Sequence, residues 1–412
     1  MNIYTIIYKM AQSLLNLSEI DPKIINVGGR EELSFEIIDV DLSVVNSLRR
    51  VMLTNIESLV FRGFPHKDNQ INIEINKSKF NNEYLKHRIS CVPIYQSDES
   101  QFEAMIKQYE VRLHVVNDTN NSRYVTTRDF ELFNKATNKQ ISSADFRLRE
   151  IFPPDPISRE FIPLCCLMPK ISEDDEPEEL KLSISFSVGI AKEDSCWNMV
   201  TKCCFENKRD DRAIEKFLQK DKSTVDKFFK NDMLAIQKYM THDYSEEELN
   251  DFKILDAQRI FLDNHYIMYV ESTGVYSNQK IIIKACEYLI NKLSELDEFL
   301  KTNQVDDVII NKNDYAMYVD QTNLDPTFML YIKDDDYTIG KIIEKYLYIM
   351  FNKTIYYISF KKEHPHDTHC IVSFTYKEEV SIEAVFLDVR RVVNKLIKTY
   401  QTISSPSNFR KD

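Results

Sequence analysis

The stretch LSFEIIDVDLSVVNSLRRVM, Leu33 to Met52, decides the fold of this chain. Its first residues alternate apolar with polar, which is the period of a half-buried strand. Asp39 or Asp41 can then cap a helix, because a short carboxylate accepts hydrogen bonds from the free N–H groups of a first turn. An apolar stripe follows at helical spacing: Leu42, Val45, Leu48 and Met52. The stretch predicts a strand followed directly by an amphipathic helix.

Two separated stretches, Leu33 to Ile94 and Phe328 to Tyr400, each predict a strand, then a helix, then a strand. Three helices in the C-terminal half of the chain carry apolar seams at spacings of three and four, which is typical of helices that pack against another helix. The seams are Ile282, Ala285, Leu289, Leu293, Leu296 and Leu300; then Ile342, Ile343, Leu347 and Met350; and finally Val385, Val389, Val392, Leu396 and Tyr400. We expect these seams to bury one another.

Composition excludes two classes of function. The net charge is -12, whereas a protein that neutralises nucleic-acid phosphates normally has a basic surplus, so no direct nucleic-acid contact is expected. Among the six glycines only Gly28 and Gly29 are neighbours, and no GxGxxG or P-loop pattern can be assembled. Nucleotide hydrolysis by a P-loop and dinucleotide binding by a Rossmann turn are therefore excluded.

The cysteines and the apolar runs indicate the compartment. None of the eight cysteines forms a CxxC pair, so neither a zinc knuckle nor a disulfide framework is predicted. The sequence shows no secretory signal and no apolar run near the roughly 20 residues of a membrane span. We expect an intracellular, reduced protein in the cytoplasm or nucleus, without a membrane contact.

The residues from Phe35 to Ile94 resemble the alpha-type subunit of multisubunit RNA polymerases, that is, the bacterial alpha subunit and the third-largest subunit of eukaryotic RNA polymerase II. The resemblance lies in Asn46-Ser47-Leu48-Arg49-Arg50, Glu83, His87-Arg88 and Val92-Pro93-Ile94. Gly189 to Trp197 and Val270 to Gly274 resemble two later stretches of that family.

The second stretch resembles the small subunit that pairs with the alpha-type subunit. Asp336 to Gly340 matches an acidic–histidine–threonine–leucine–glycine turn, although Tyr337 replaces the histidine, and His364-Pro365-His366 stands near a proline–histidine–proline segment. A fusion of the two subunits resembles the arrangement in some large cytoplasmic DNA viruses. The four-cysteine zinc loop of the eukaryotic subunit has no counterpart in Gln96 to Leu113, so no structural zinc and no cofactor are expected.

The resemblance implies an α+β fold with two related dimerisation modules in one chain and a β-rich domain inserted in the first. The expected boundaries are a leader (1–30), the first module (31–95 and 263–300), the inserted domain (96–262), a polar connector (301–326) and the second module (327–412). The charged helical segments predicted within 209–261 have no role in this scheme.

The resemblance also implies a non-catalytic assembly platform of a DNA-dependent RNA polymerase. Its partners would be the two largest subunits and other small subunits, without homo-oligomers, in the host cytoplasm or the virion if the source is viral. Docking residues would be Asn46, Arg49, Arg50, His87 and Arg88. Dimerisation residues would be Leu42, Val45, Leu48, Ile282, Leu289, Leu293, Leu296, Ile343, Leu347, Val385, Val389, Val392 and Leu396.

Two alternatives remain open from the residues. His364, His366, His369 and Cys370 form a cluster with metal-like spacing, which favours a metal-dependent hydrolase; a turn explains Pro365 equally well. A free-standing interaction protein that kept the dimer fold is the third reading. The cysteine pairs Cys165-Cys166 and Cys203-Cys204 lie on predicted strands, where neighbouring side chains point to opposite faces, so packing is preferred over metal binding.

Overall fold

The computed structural model describes residues 21–28, 32–141, 148–170, 172, 176–229, 232–242, 245–302, 309–312, 315–320 and 326–409. These residues form a mixed α+β fold, as predicted. Within them, no helix is both long and apolar enough to cross a membrane.

The described strands and helices are as follows, in chain order. The strands are β1 Lys23–Gly28, β2 Glu32–Ile38, β3 Ser58–Val60, β4 Ile71–Asn76, β5 Tyr109–Asn117, β6 Arg123–Thr126, β7 Glu131–Asn134, β8 Lys139–Gln140, β9 Pro163–Leu167, β10 Glu178–Ser185, β11 Ser187–Gly189, β12 Val200–Arg209, β13 Phe261–Ser272, β14 Ile309–Lys312, β15 Tyr315–Asp320, β16 Thr327–Lys333, β17 Ile355–Lys361 and β18 His369–Tyr376. The helices are α1 Leu42–Thr54, α2 Asn82–Ser90, α3 Phe102–Gln108, α4 Leu148–Ile151, α5 Asp211–Leu218, α6 Lys222–Phe228, α7 Met233–Thr241, α8 Glu246–Ile254, α9 Asn278–Thr302, α10 Ile339–Phe351, α11 Ile382–Ile403 and α12 Pro406–Phe409.

The chain divides into two compact units. The first unit comprises the described residues of Met1–Val51, Lys202–Val270 and Ile282–Asp412, and the second those of Met52–Thr201 and Glu271–Ile281. The predicted inserted domain, 96–262, contributes to both units, and the domain boundaries proposed from the sequence stay a prediction.

The first unit contains two sheets. One has the order β1-β2-β13-β12, and the other has the order β14-β15-β16-β18-β17 with antiparallel neighbours throughout. Of the two caps predicted for helix α1, Asp41 is the one that caps it, because its Oδ1 accepts a hydrogen bond from the Ser43 N–H at 2.9 Å. The segment predicted as a polar connector, 301–326, contains β14 and β15, which extend the second sheet.

The long helices of the first unit bury the seams predicted from the sequence. On α9 the residues Ile282, Ala285, Leu289, Leu293 and Leu296 are fully buried. On α10 and α11 the same holds for Ile342, Ile343, Leu347, Val385, Val389, Val392, Leu396 and Tyr400. Burial of an apolar side chain of this size stabilises a fold by about 1.5–3 kcal/mol.

The helices α5 to α8 connect β12 to β13 and have a small core of their own. Phe217, Val225, Ile236 and Tyr239 are buried there, with Phe228, Phe229 and Phe252 packed against them. The predicted charged helical segments are thus four short helices around an aromatic cluster.

The second unit is built on the sheet β4-β10-β5-β7-β8, with the two-stranded sheets β3–β11 and β6–β9. Along β5 and β10, buried apolar side chains alternate with polar side chains that are half-buried or exposed. Phe61, Phe130, Phe152 and Phe186 form an aromatic core, with Phe61 within 6.2 Å of each of the other three ring centroids.

Candidate pairing and docking surface

Helix α1 buries one face, and the residues of its other face are half-buried, apart from the exposed Leu42. The buried apolar residues are Val44, Val45, Leu48, Val51 and Met52. Leu42, predicted on the buried stripe, is 47% exposed; it is the first residue of the helix, and the stripe instead includes Val44 and Val51. Leu42 is therefore not part of the buried face of α1.

A buried hydrogen bond joins α1 to α11. The Ser47 and Tyr400 hydroxyl oxygens are 2.6 Å apart, and Ser47 Oγ also donates to the Val44 carbonyl at 2.7 Å. Burial raises the pKa of the Tyr400 phenol well above its usual value. A buried hydroxyl without a partner costs about 1–3 kcal/mol, so this bond specifies how the two helices meet.

An ion pair joins α1 to the turn before α10. Arg50 Nη2 donates to both carboxylate oxygens of Asp336, at 2.8 and 2.7 Å, while Arg50 Nε donates to Thr338 Oγ1 at 3.1 Å. Burial alone would raise the pKa of Asp336, but the Arg50 guanidinium and the Thr338 hydrogen bonds outweigh it and lower the pKa. Arg50 is therefore fixed within the chain, which differs from its predicted role in docking.

The neighbouring Asp335 holds the start of α10. Its Oδ2 accepts hydrogen bonds from the Ile339 N–H at 2.8 Å and the Gly340 N–H at 3.2 Å. Burial, assisted by the Asp336 charge, raises the pKa of Asp335 to about 6. Tyr337, which replaces the family's histidine, is exposed and lies against the Phe360 ring.

A polar cluster joins α9 to α11. Asp297 on α9 accepts hydrogen bonds from Arg390 Nε at 3.1 Å and from Asn394 Nδ2 at 3.3 Å, and it also pairs with Lys301. Burial alone would raise the pKa of Asp297, but Lys301 and Arg390 lower it on balance. A buried carboxylate therefore joins the two seamed helices.

Asn46 and Arg49 form a unit on α1. Arg49 Nε and Nη2 donate to Asn46 Oδ1 at 3.1 and 3.0 Å. These bonds use two of the five N–H donors of the guanidinium and hold its plane in place. The predicted docking residues Asn46 and Arg49 are thus brought together, and both are half-buried.

His87 and Arg88 lie on α2, in the second unit. His87 is exposed. Arg88 Nη2 donates to the Pro163 carbonyl at 2.7 Å, and its guanidinium carbon lies 5.9 Å from the ring centroids of both Phe80 and Tyr84. Arg88 is therefore held by its own unit.

The residues of the histidine cluster are divided between an exposed turn and the strand β18. His364 and His366 are exposed on the turn between β17 and β18, and the His366 N–H donates to His364 Nδ1 at 3.2 Å. His369 begins β18 and stacks near Tyr331, while Cys370 is buried with a raised pKa. In the part of the chain that the structure describes, no group of three His, Cys, Asp or Glu side chains is placed to hold a metal ion.

The cysteine pairs are buried only in part: Cys165 is buried, Cys166 and Cys203 are half-buried, and Cys204 is exposed. Burial raises the pKa of Cys165 to about 11 and that of Cys203 to about 12, which keeps both as thiols. Trp197 is buried and donates its Nε1–H to the Ser90 carbonyl at 3.2 Å.

Several residues of this surface were not predicted from the sequence. Ser47, Asp336, Asp297, Arg390 and Asn394 make the bonds between helices, yet none stood among the predicted site residues. A signal existed for Asp297, since it lies beside the apolar seam of α9, between Leu296 and Leu300. A carboxylate at such a position needs a partner.

Comparison with known proteins adds two findings. Residues 34–293 match the family model described as the RNA polymerase Rpb3/Rpb11 dimerisation domain, which spans more than half of the chain, from β2 into α9. The chain is also similar to the Arabidopsis thaliana protein named DNA-directed RNA polymerases II, IV and V subunit 3, with 22% identity over 303 residues, 66% of this chain and 89% of that protein.

Proposed function

The chain belongs to the family of the RNA polymerase Rpb3/Rpb11 dimerisation domain, and on that basis we propose that it is a non-catalytic assembly platform of a DNA-dependent RNA polymerase. In this proposal the two halves of the chain pair with each other. The first module comprises 31–95 and 263–300, with 96–262 inserted, and the second comprises 327–412. The paired halves then bind the two largest subunits, which own the catalytic site.

One observation carries the pairing: α1, inside the family match, bonds directly to residues beyond it. Ser47 meets Tyr400 at 2.6 Å, and Arg50 meets Asp336 at 2.7 Å. A heterodimer of separate subunits would need such bonds between chains. A covalent connection gives the second half an effective concentration in the millimolar range, so pairing would not depend on protein concentration.

The docking role falls on Asn46 and Arg49, with His87 and Arg88 as a second set. Arg50 moves from the docking set to the pairing set because Asp336 and Thr338 occupy it. A guanidinium held by Asn46 is pre-organised to bind a carboxylate or a carbonyl of a large subunit, and less conformational entropy is lost on binding.

The remaining parts of the proposal follow the resemblance. In this proposal the chain also binds other small polymerase subunits, makes no direct nucleic-acid contact and forms no homo-oligomer. The fused arrangement supports a large cytoplasmic DNA virus as the source, with the enzyme in the host cytoplasm or the virion; a cellular source would place it in the cytoplasm or nucleus.

Co-expression with the two largest polymerase subunits of the same source tests the docking role. Arg49→Glu should lower the recovery of the large subunits at least about tenfold, because truncating or reversing an interfacial charge typically costs 2–5 kcal/mol. Arg212→Glu, an equal charge change at an exposed position of α5, is the matched control and should recover both subunits. Equal recovery with Arg49→Glu, or no recovery with the unchanged chain, would overturn the docking proposal.

A further inference from the structure

The helices α5 to α8 surround a cavity that the assembly role does not use. Its volume is about 940 Å³, far above the roughly 150 Å³ of a void left by one deleted core side chain. Leu255 and Phe261 line it and are 66% and 41% exposed, so solvent reaches the cavity. It is a binding-sized feature rather than a packing defect.

The lining of this cavity is aromatic. Phe217 lies at the centre of the aromatic cluster. Its ring centroid is 4.4 Å from that of Tyr239, 4.7 Å from that of Phe252 and 4.8 Å from that of Phe228. Phe229 completes the lining cluster. Clustered rings of this kind give large apolar contact with little loss of side-chain entropy, which favours an apolar anchor from a partner.

Exposed apolar residues continue the cavity onto the surface. Ile254 and Leu255, at the end of α8, are each 66% exposed, and Phe261 and Leu262, at the start of β13, are 41% and 37% exposed. Leu255 and Phe261 also line the cavity, so its apolar lining reaches the surface of the protein.

The charged residues of the lining are mostly acidic. They are Asp210, Glu248, Asp251, Asp256 and Asp263 against Lys227 and Arg259. Arg259 already pairs with Asp256 at 3.3 Å. The lining is therefore net negative, and it would attract a cationic segment while repelling nucleic acid and anionic lipid head groups.

We propose that this cavity is a docking site for a basic amphipathic helix of another protein. Leucine-like anchors at spacings of three and four would enter the aromatic cluster, and lysine or arginine residues beside them would face Asp251 and Asp263. The proposal is independent of the polymerase role, because none of these residues takes part in the pairing or docking surface.

Titration of the full chain with a capped helical peptide tests the proposal. The probe is a Leu/Lys peptide of about five helical turns, with its leucines on one stripe, measured by calorimetry at low and high salt. We expect saturable one-to-one binding that weakens with salt. Two control peptides, one with the same composition scrambled and one with glutamate in place of lysine, should not bind.

Variants locate the binding site. Asp251→Lys should weaken binding at least about tenfold, and Leu255→Ser, at a 66% exposed position, should do so without touching the charge. Glu215→Lys, an exposed acidic residue of α5 outside the cavity, should leave the affinity unchanged. Circular dichroism of each variant checks that the helices remain folded.

Three outcomes would overturn the proposal. The first is an absence of saturable binding, and the second is equal affinity for the scrambled or glutamate peptide. The third is self-association of the chain that Asp251→Lys abolishes, which would assign the cavity to a second copy.

Discussion

Arg49 and Arg50 are neighbours in the sequence but serve different partners. Successive residues of an α-helix are rotated by about 100°, so two adjacent arginines cannot face the same surface. Arg50 reaches Asp336 and Thr338, whereas Arg49 is held by Asn46. The motif alone gave both the same role, and geometry separates them.

A double-mutant cycle measures the Arg50–Asp336 bond. Arg50→Ala and Asp336→Ala should each lower the free energy of unfolding in urea, and the double variant should lose less than the sum. Both side chains are about one-third exposed, so we expect a coupling of about 1 kcal/mol, between a surface pair and a buried one. Strict additivity would show that the pair contributes nothing to the fold.

Asp335 makes stability depend on pH. Its folded pKa of about 6 exceeds the unfolded value near 4, so the folded chain binds more protons in this window and stability falls as pH rises from about 4 to about 6. Asp335→Asn keeps an oxygen acceptor but cannot ionise. Its unfolding free energy relative to the unchanged chain should therefore rise across that window, by about 1–2 kcal/mol.

Asp336 provides the opposite control. Its pKa is lowered in the folded chain, so the stability it contributes is present above its unfolded pKa and is lost as pH falls below it. Asp336→Asn should thus lose most relative to the unchanged chain at neutral pH and least in acid. A difference for Asp335→Asn that stays flat between pH 4 and 6 would contradict the assignment.

At this scale the sequence identified part of the site. A short motif within little more than one turn of α1 contains Asn46, Arg49 and Arg50. The partners of α1 lie 286 residues away at Asp336 and 353 residues away at Tyr400. No local pattern specifies pairs at such separations; only tertiary packing does.

At the scale of elements, periodicity predicted the seamed helices and the strands β2 and β16. It missed β14 and β15, whose short apolar runs, Ile309-Ile310 and Tyr315 to Val319, stand between polar residues of the predicted connector. It predicted a strand after α10 but did not locate β17 and β18. Burial runs almost without interruption along β18, so its two faces do not alternate, and the histidines before it drew the interpretation towards a turn or a metal.

Gly340 tests how closely α10 approaches the second sheet. A Cβ at this position would lie 2.6 Å from Phe360 Cδ2 and 3.2 Å from Cys370 Sγ. Gly340→Ala should therefore destabilise the chain by about 1–3 kcal/mol, although alanine favours helix by up to about 1 kcal/mol. The measurement is the midpoint of urea unfolding.

Gly28→Ala is the matched control for this change. A Cβ there meets nothing within 4 Å, so its effect should stay within about 0.5 kcal/mol. A Gly340→Ala chain as stable as the unchanged one would show that helix and sheet can separate at no cost.

At the scale of the whole molecule, the proposed pairing depends on contacts between the two halves of the chain. The hydrogen bond between Ser47 and Tyr400 and the cluster around Asp297 both join helices that the sequence separates widely. The long apolar seams add buried surface, and the polar bonds specify register. Together they make one folded unit of segments that, in the proposal, correspond to two subunits.

Cleavage of the chain between the two halves tests directly whether these contacts hold the halves together. A protease site inserted between Thr302 and Ile309 would give two fragments after digestion, and native mass spectrometry would show whether they remain together. We predict that the two fragments form a one-to-one complex that survives dilution. The complex should dissociate when Ser47→Arg places a charge against Tyr400. Fragments that separate on cleavage of the otherwise unchanged chain would contradict it.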